Sequence, residues 1–174
     1  MSSAPSFIIE PLDAAKHRRD AFDCGVAALN DFLRTRARKE MEADISACFV
    51  LVPQEKPEQI TGFYTLSSAS ILRTELPEAL LKKLPRYTRM PATLLGRLAH
   101  SLDFKGQGIG ARLMISALSR AVHGSNQVAG SLAVVTDPKN EEARLFYEAF
   151  GFRPLTANRL FVLMKDAATQ LNAQ

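Results

Sequence analysis

The stretch Phe104-Lys-Gly-Gln-Gly-Ile-Gly-Ala-Arg-Leu113 puts glycines at 106, 108 and 110, in a chain of 174 residues that holds only 9 of them. Just before it, Ala92–His100 (ATLLGRLAH) is an apolar strand candidate. Just after it, Ile109, Leu113, Ala117, Leu118 and Ala121 recur at helical spacing, and Gly124 is placed to cap the helix. A strand that turns through glycines into a helix leaves the first N–H groups of that helix without acceptors, at the positive end of its dipole. Such a turn is an anion site. Lacking Cβ atoms, Gly106, Gly108 and Gly110 allow a diphosphate close to the backbone, and Lys105 and Arg112 add charge nearby. The structural alternative is a glycine turn that serves only tight strand-to-helix packing.

Gly106, Gly108 and Ala111 also satisfy the dinucleotide fingerprint G-x-G-x-x-A, and Asp137 ends the next strand. That fingerprint normally opens a βαβαβ half-domain, and too little chain follows Asp137 to build one. A Walker A loop is excluded because no Gly-Lys-Ser/Thr follows the glycines.

Working outward, Ser6–Glu10 reads as a short opening strand. Asp23 stands at an N-cap position, and Leu29, Phe32, Leu33, Ala37 and Met41 define an amphipathic helix over about 26–42. Ser46–Pro53 and Gln59–Ser68 form a hairpin candidate, and Leu76–Leu84 is a short helix between prolines. Ser131–Thr136 is a buried-type strand, Asn140–Phe150 a helix closed by Gly151, and Arg159–Lys165 a last strand before a polar tail. This order describes one α/β domain over 1–174, a mixed sheet with helices on both faces. The composition, 47% apolar and 23% charged, is ordinary for a globular domain. No membrane span and no secretory leader are found, so a cytoplasmic protein is expected. Cys24 and Cys48 read as reduced structural thiols, and no metal site is expected. The net charge of +4 equals the excess carried by residues 73–105 alone, which hold 7 basic and 3 acidic side chains. A local positive surface of this kind attracts phosphates.

Lys105-Gly-Gln-Gly-Ile-Gly110 resembles the Arg/Gln-x-x-Gly-x-Gly/Ala signature of the GNAT N-acetyltransferases, with Lys105 where Arg or Gln is usual. Asn140-Glu-Glu-Ala-Arg-Leu-Phe-Tyr-Glu-Ala-Phe-Gly-Phe152 is similar to the N-x-x-A-x-x-F-Y-x-x-x-G-F helix of the same family. Phe22-Asp-Cys-Gly25, Leu29-Asn-Asp-Phe-Leu33, Gly62–Ser68, Leu84-Pro-Arg-Tyr87 and Leu94-Leu-Gly-Arg-Leu-Ala99 narrow the resemblance to the GNAT toxins of bacterial toxin–antitoxin pairs; His100 stands where that branch often has Val. The resemblance implies a mostly antiparallel sheet splayed at the site of acetyl-CoA, an aminoacyl-tRNA substrate, a ribbon-helix-helix antitoxin and a homodimer. It also implies that Lys105, Gly106, Gln107, Gly108, Ile109, Gly110 and Ala111 grip the cofactor's diphosphate, that backbone groups of Leu98 and Ala99 bond its pantetheine arm, and that Asn140 caps its helix or touches the cofactor.

Chemistry sharpens the expectation. On its helix Ala143, Phe146 and Phe150 form the core stripe, so Tyr147, rotated ~100° from Phe146, lies at the stripe's edge and is the expected catalytic acid for the departing thiolate. Tyr64 and Tyr87 have weaker claims. A lysine substrate, at a reference pKa of ~10.4, would want a general base, whereas an α-amine at ~7.7–8 needs less help. No base is obvious: Glu141, Glu142 and Glu148 sit on a helix surface, and His17, His100 and His123 are isolated. Aminoacyl-tRNA is therefore favoured over other amines, with a small-molecule or protein acetyltransferase and a non-catalytic acyl-CoA-binding module as alternatives. Phosphate contacts are expected from Lys82, Lys83, Arg86, Arg89, Arg34 and Arg38; Arg97 either pairs internally or meets substrate. No aromatic stands out as a stacking platform for bases.

Overall fold

The computed structural model describes residues 4–173. Seven strands, β1 (Phe7–Pro11), β2 (Ala47–Pro53), β3 (Gly62–Leu72), β4 (Arg89–His100), β5 (Ala133–Thr136), β6 (Arg153–Pro154) and β7 (Leu160–Leu163), hydrogen-bond in the order β1-β2-β3-β4-β5-β7-β6. β4 and β5 run parallel; β1–β2, β2–β3, β5–β7 and β6–β7 are antiparallel. The helices are α1 (Ala27–Asp31), α2 (Ala37–Glu42), α3 (Glu78–Leu81), α4 (Ile109–Gln127), α5 (Glu141–Glu148) and α6 (Met164–Asn172). By internal packing the chain forms two compact units, residues up to 67 with 96–117, and 68–95 with 118 onward.

In the first unit, β1 and β2 pair from Phe7↔Pro53 to Pro11↔Phe49, and β2 pairs β3 from Ala47↔Leu66 to Leu51↔Gly62. The expected helix 26–42 is present but interrupted: a π-helical turn, Phe32–Arg36, joins α1 to α2. Its apolar stripe does the packing that its spacing promised, with Phe32, Leu33 and Ala37 buried against Val50, Val52 and Phe63. Phe63 meets Phe22 edge-on at 5.5 Å and stacks with Phe32 at 6.1 Å, geometries that add to plain area burial. Asp23 is not the N-cap, which falls at Val26; its carboxylate instead accepts from Gly25 N–H at 2.8 Å and Asn30 Nδ2 at 2.9 Å.

In the second unit, every residue of β5 and β7 is buried, as expected of a strand with neighbours on both sides. Ile71, Met90, Ala92, Ala133, Val135, Phe161 and Leu163 form its core, with Leu80, Leu81 and Leu84 packed on it. Two expectations are corrected here, and one short strand is added. Gly124 does not end α4, which runs to Gln127; Val128 and Ala129 N–H both bond Gly124 O, and Ser125 Oγ clamps Ser131 through its N–H and O at 3.0 Å. The last strand stops at Leu163 rather than Lys165, and the polar tail is helical: α6 forms from Met164 and buries Met164 and Ala167. The two-residue strand β6 was not expected.

Candidate active site

The glycine loop lies wholly in the first unit. β4 ends at His100, and a 3-10 turn, Leu102–Phe104, leads into the loop, capped by Ser101 Oγ accepting from Asp103 N–H. Three contacts fix that turn: Ser101 N–H donates to Thr61 O at 2.7 Å, Leu102 N–H to Asp23 O at 2.9 Å, and Phe104 packs edge-on against Phe7. At Gly62 a Cβ would come within 2.8 Å of Leu113 Cδ1 and 3.1 Å of Ala99 O, so only glycine lets the start of α4 approach the strands this closely.

Within the loop, Gly106 and Gly108 have φ of +82° and +73°, a left-handed conformation that glycine adopts at little cost, and nothing lies within 4 Å of where their Cβ atoms would be. Lys105 and Gln107 N–H are consumed locally, by Leu102 O and Phe104 O, and Arg112 N–H returns to Gly108 O. The N–H groups of Gly106, Gly108, Ile109, Gly110 and Ala111 have no acceptor among the described residues. Lys105, Gln107 and Arg112 are exposed, and the Arg112 guanidinium lies 5.3 Å from the Phe7 ring centre. The arrangement is an open cradle of main-chain donors at a helix N-terminus with cations beside it, which suits a diphosphate.

β4 pairs with β5 only over Ala92–Leu94 and Ala133–Val135, then continues through Leu98 and Ala99 to His100. Where the pairing stops, Thr136 Oγ1 donates to Leu95 O at 2.9 Å. Thr136 is also hydrogen-bonded to Tyr147. Tyr147 is only 7% exposed, and burial pushes its pKa above the ordinary phenol range, partly offset by the Thr136 hydrogen bond. It is therefore a neutral phenol at neutral pH. Its place on α5 corrects the expected one: Tyr147 is the buried residue of the helix, whereas Ala143, Phe146 and Phe150 are half-buried around it. Phe146 and Phe152 meet its ring edge-on, both at 5.6 Å. Asn140 caps α5, its Oδ1 accepting from Ala143 N–H at 2.8 Å.

The expected phosphate contacts divide by their partners. Arg34 is ion-paired with Asp31, and Arg38 with Glu42 at 2.7 Å, both within one helical turn. Arg89 donates to Ser70 Oγ at 3.3 Å. Lys82, Lys83 and Arg86 are exposed, and their side chains make no hydrogen bond or ion pair among the described residues. Arg97 makes no ion pair there either; its guanidinium lies 3.7 Å from the Phe32 ring centre, a cation–π contact. His17 is not isolated: its Nδ1 accepts from Asp13 N–H at 2.9 Å and its Nε2 is 2.7 Å from Glu10 Oε1. Asp137, which ends the strand the dinucleotide reading needed, is held bidentately by Arg159 at 2.7 and 2.9 Å.

Two features escaped the sequence reading. Thr136 had a signal, a polar residue closing an otherwise apolar strand. An open cleft of about 670 Å³ between Pro11–Ala15 and the Arg38, Met41 and Glu42 face of α2 had none, because its walls are distant in sequence.

A family model described as acetyltransferase (GNAT) domain matches residues 45–154. The chain is 33% identical over 149 residues to a tRNA-acetylating toxin of Mycobacterium tuberculosis, covering 84% of this chain and 86% of that one. Among solved structures, AtaT complexed with acetyl-methionyl-tRNAfMet matches with a TM-score of 0.87 at 33% identity, over 95% of this chain and 99% of that one. A tyrosine-to-phenylalanine mutant of AtaT, bound to the C-terminus of the antitoxin AtaR and to acetyl-CoA, matches with a TM-score of 0.80 at 29% identity, over 94% and 97%.

Proposed function

The chain belongs to the GNAT acetyltransferase family, and from that premise we propose that it transfers an acetyl group from acetyl-CoA to the α-amino group of an aminoacyl-tRNA, blocking translation as the toxin of a toxin–antitoxin pair. The observation that carries this reading is the set of five amides between Gly106 and Ala111 that have no acceptor among the described residues. In this reading these amides, with Lys105 and Arg112, hold the diphosphate. Gln107 lines the same loop, and backbone groups of Leu98 and Ala99 hold the pantetheine arm and polarise the acyl carbonyl. Bound acetyl-CoA supplies an activated acyl group as a thioester. Transfer exchanges a C–S bond for a C–N bond; Tyr147 gives its phenolic proton to the departing sulfur, the amine's proton passes to solvent, and Tyr147 regains a proton from solvent before the next turnover.

Two observations and one chemical argument support tRNA as the source of the amine. The carboxylates nearest Tyr147 on its helix, Glu141, Glu142 and Glu148, are exposed rather than buried as a tuned base would be. An α-amine needs little help in losing its proton. Lys82, Lys83 and Arg86 are cations whose side chains are unpaired among the described residues, suited to phosphates. Relatives named for tRNA acetylation and for antitoxin binding agree with this reading. The same proposal includes a cytoplasmic homodimer, both units acting as one acetyltransferase domain, and a ribbon-helix-helix antitoxin whose acidic tail covers residues 73–105.

Mass spectrometry of total charged tRNA after incubation with acetyl-CoA tests it. Acetyl found on the α-nitrogen of aminoacyl-tRNA is the expected result; acetyl found only on polyamines, antibiotics or protein lysines would overturn it.

A further inference from the structure

Within the second unit, the segment from Leu81 to Arg89 carries an arrangement that the proposed chemistry does not use. Tyr87 is 66% exposed. The other two tyrosines, Tyr64 and Tyr147, are buried. Lys82, Lys83 and Arg86, all exposed and unpaired among the described residues, lie within five positions of Tyr87.

The exposure is built in. Arg73, the residue after β3, donates Nη1 to Pro85 O at 2.9 Å and Nη2 to Leu81 O at 3.2 Å, and its N–H bonds Thr88 O at 2.9 Å. Leu80, Leu81 and Leu84 anchor the same segment on the core of the unit. With three of its carbonyls clamped and its leucines turned inward, the segment is held with Tyr87 and the three cations outward. A large ring kept in water next to unpaired positive charge is an unusual use of an aromatic. It matches the requirement of an unpaired nucleic-acid strand, in which each base offers a π-face and each linkage a phosphate. An acidic peptide would answer the charges but has no need of a flat exposed ring.

We propose that Tyr87 is a stacking platform for an unpaired base of an RNA 3′ end, with Lys82, Lys83 and Arg86 on the adjoining phosphates. The inference rests on the aminoacyl-tRNA reading for the identity of that RNA, whose acceptor stem ends in an unpaired strand bearing the amine. It also revises the expectation that no aromatic serves stacking.

The chain has no tryptophan and three tyrosines, so quenching of its intrinsic fluorescence by a stacked base reports on Tyr87, the exposed one. The probe is an uncharged acceptor-stem minihelix with its single-stranded 3′ end, compared with the same helix made blunt. The parent protein is expected to bind the overhang form more tightly, with tyrosine quenching. Tyr87→Phe should keep the preference, and Tyr87→Ala should bind the overhang form about 5- to 100-fold more weakly, near the blunt form. Equal binding of both forms by the parent, an unchanged Tyr87→Ala, or equal losses in Tyr87→Phe and Tyr87→Ala would overturn the proposal. Binding of an acidic amphipathic peptide at this surface with no response to the minihelix would assign the surface to a protein partner, and would also overturn it. Acetylation of charged tRNA by the parent is scored separately. If it occurs while Tyr87→Ala binds like the parent, only the platform falls; if it fails while the overhang still quenches, the platform stands and only the aminoacyl-tRNA reading falls.

Discussion

Tyr147 has the property that a proton donor at neutral pH requires: burial raises its pKa, so the phenol keeps its proton. Replacing it by Phe keeps the ring contacts with Phe146 and Phe152 and removes only the hydroxyl. Turnover is expected to fall about 10²- to 10⁴-fold with coenzyme A affinity unchanged, measured by steady-state kinetics beside calorimetry. An unchanged rate would remove Tyr147 as the acid, and no turnover in the parent would favour an acyl-CoA-binding module. The raised pKa also fixes a sign. A tyrosine favoured as the neutral form in the folded state adds stability that is present below its unfolded pKa of about 10 and lost as pH rises through its higher folded value. Loss of activity through Tyr147 ionisation is thus expected only above about pH 10. Burial likewise pushes the Cys48 thiol up to about 12, while Cys24 is partly exposed. A thiol reagent near pH 8 should therefore modify Cys24 in the native protein and both cysteines after denaturation; two fast thiols in the native state would contradict this packing.

The glycine loop was legible because its signal is local: three glycines, a strand before and a periodic helix after. At Gly108 a valine is required to adopt φ +73°, at a cost of about 1–2 kcal/mol, and its side chain enters the cradle. Gly108→Val is expected to abolish coenzyme A binding while the thermal midpoint falls only a few degrees. The turn at Asp13–His17 gives an acid-side test. Hydrogen bonds from Lys16 and then His17 hold the Glu10 carboxyl below its usual range. Its contribution is present above the unfolded pKa of about 4.3 and lost as pH falls through the lower folded value. Glu10→Gln should therefore flatten the acid limb of a stability profile measured by urea unfolding. Other elements were hidden for physical reasons. β6 is too short to show a period, and the polar composition of the tail obscured the stripe of α6, in which Met164, Ala167, Ala168 and Leu171 share one face and Met164 and Ala167 are buried. Phe146, Tyr147 and Phe150 all suit a core, so spacing alone did not say which would be buried. Arg97 found its neighbour, Phe32, through folding that brings together residues far apart in sequence.

For the molecule as a whole, family membership and the site geometry support one account from two directions. The loop in the first unit offers donors to a diphosphate, and the second unit holds Tyr147 and the exposed cations of residues 82–86. If those cations meet phosphates of an unpaired strand, each replacement by alanine should lower the magnitude of the salt slope of RNA binding by about 0.7. A loss that does not depend on salt would instead indicate folding damage. The claim on which the account depends most is that unengaged main-chain amides clasp the diphosphate of coenzyme A. A crystal structure of the protein with bound coenzyme A tests it most directly. The expected result places diphosphate oxygens within hydrogen-bonding distance of N–H groups between Gly106 and Ala111; a bound coenzyme whose diphosphate lies elsewhere, leaving that loop bare, would contradict it.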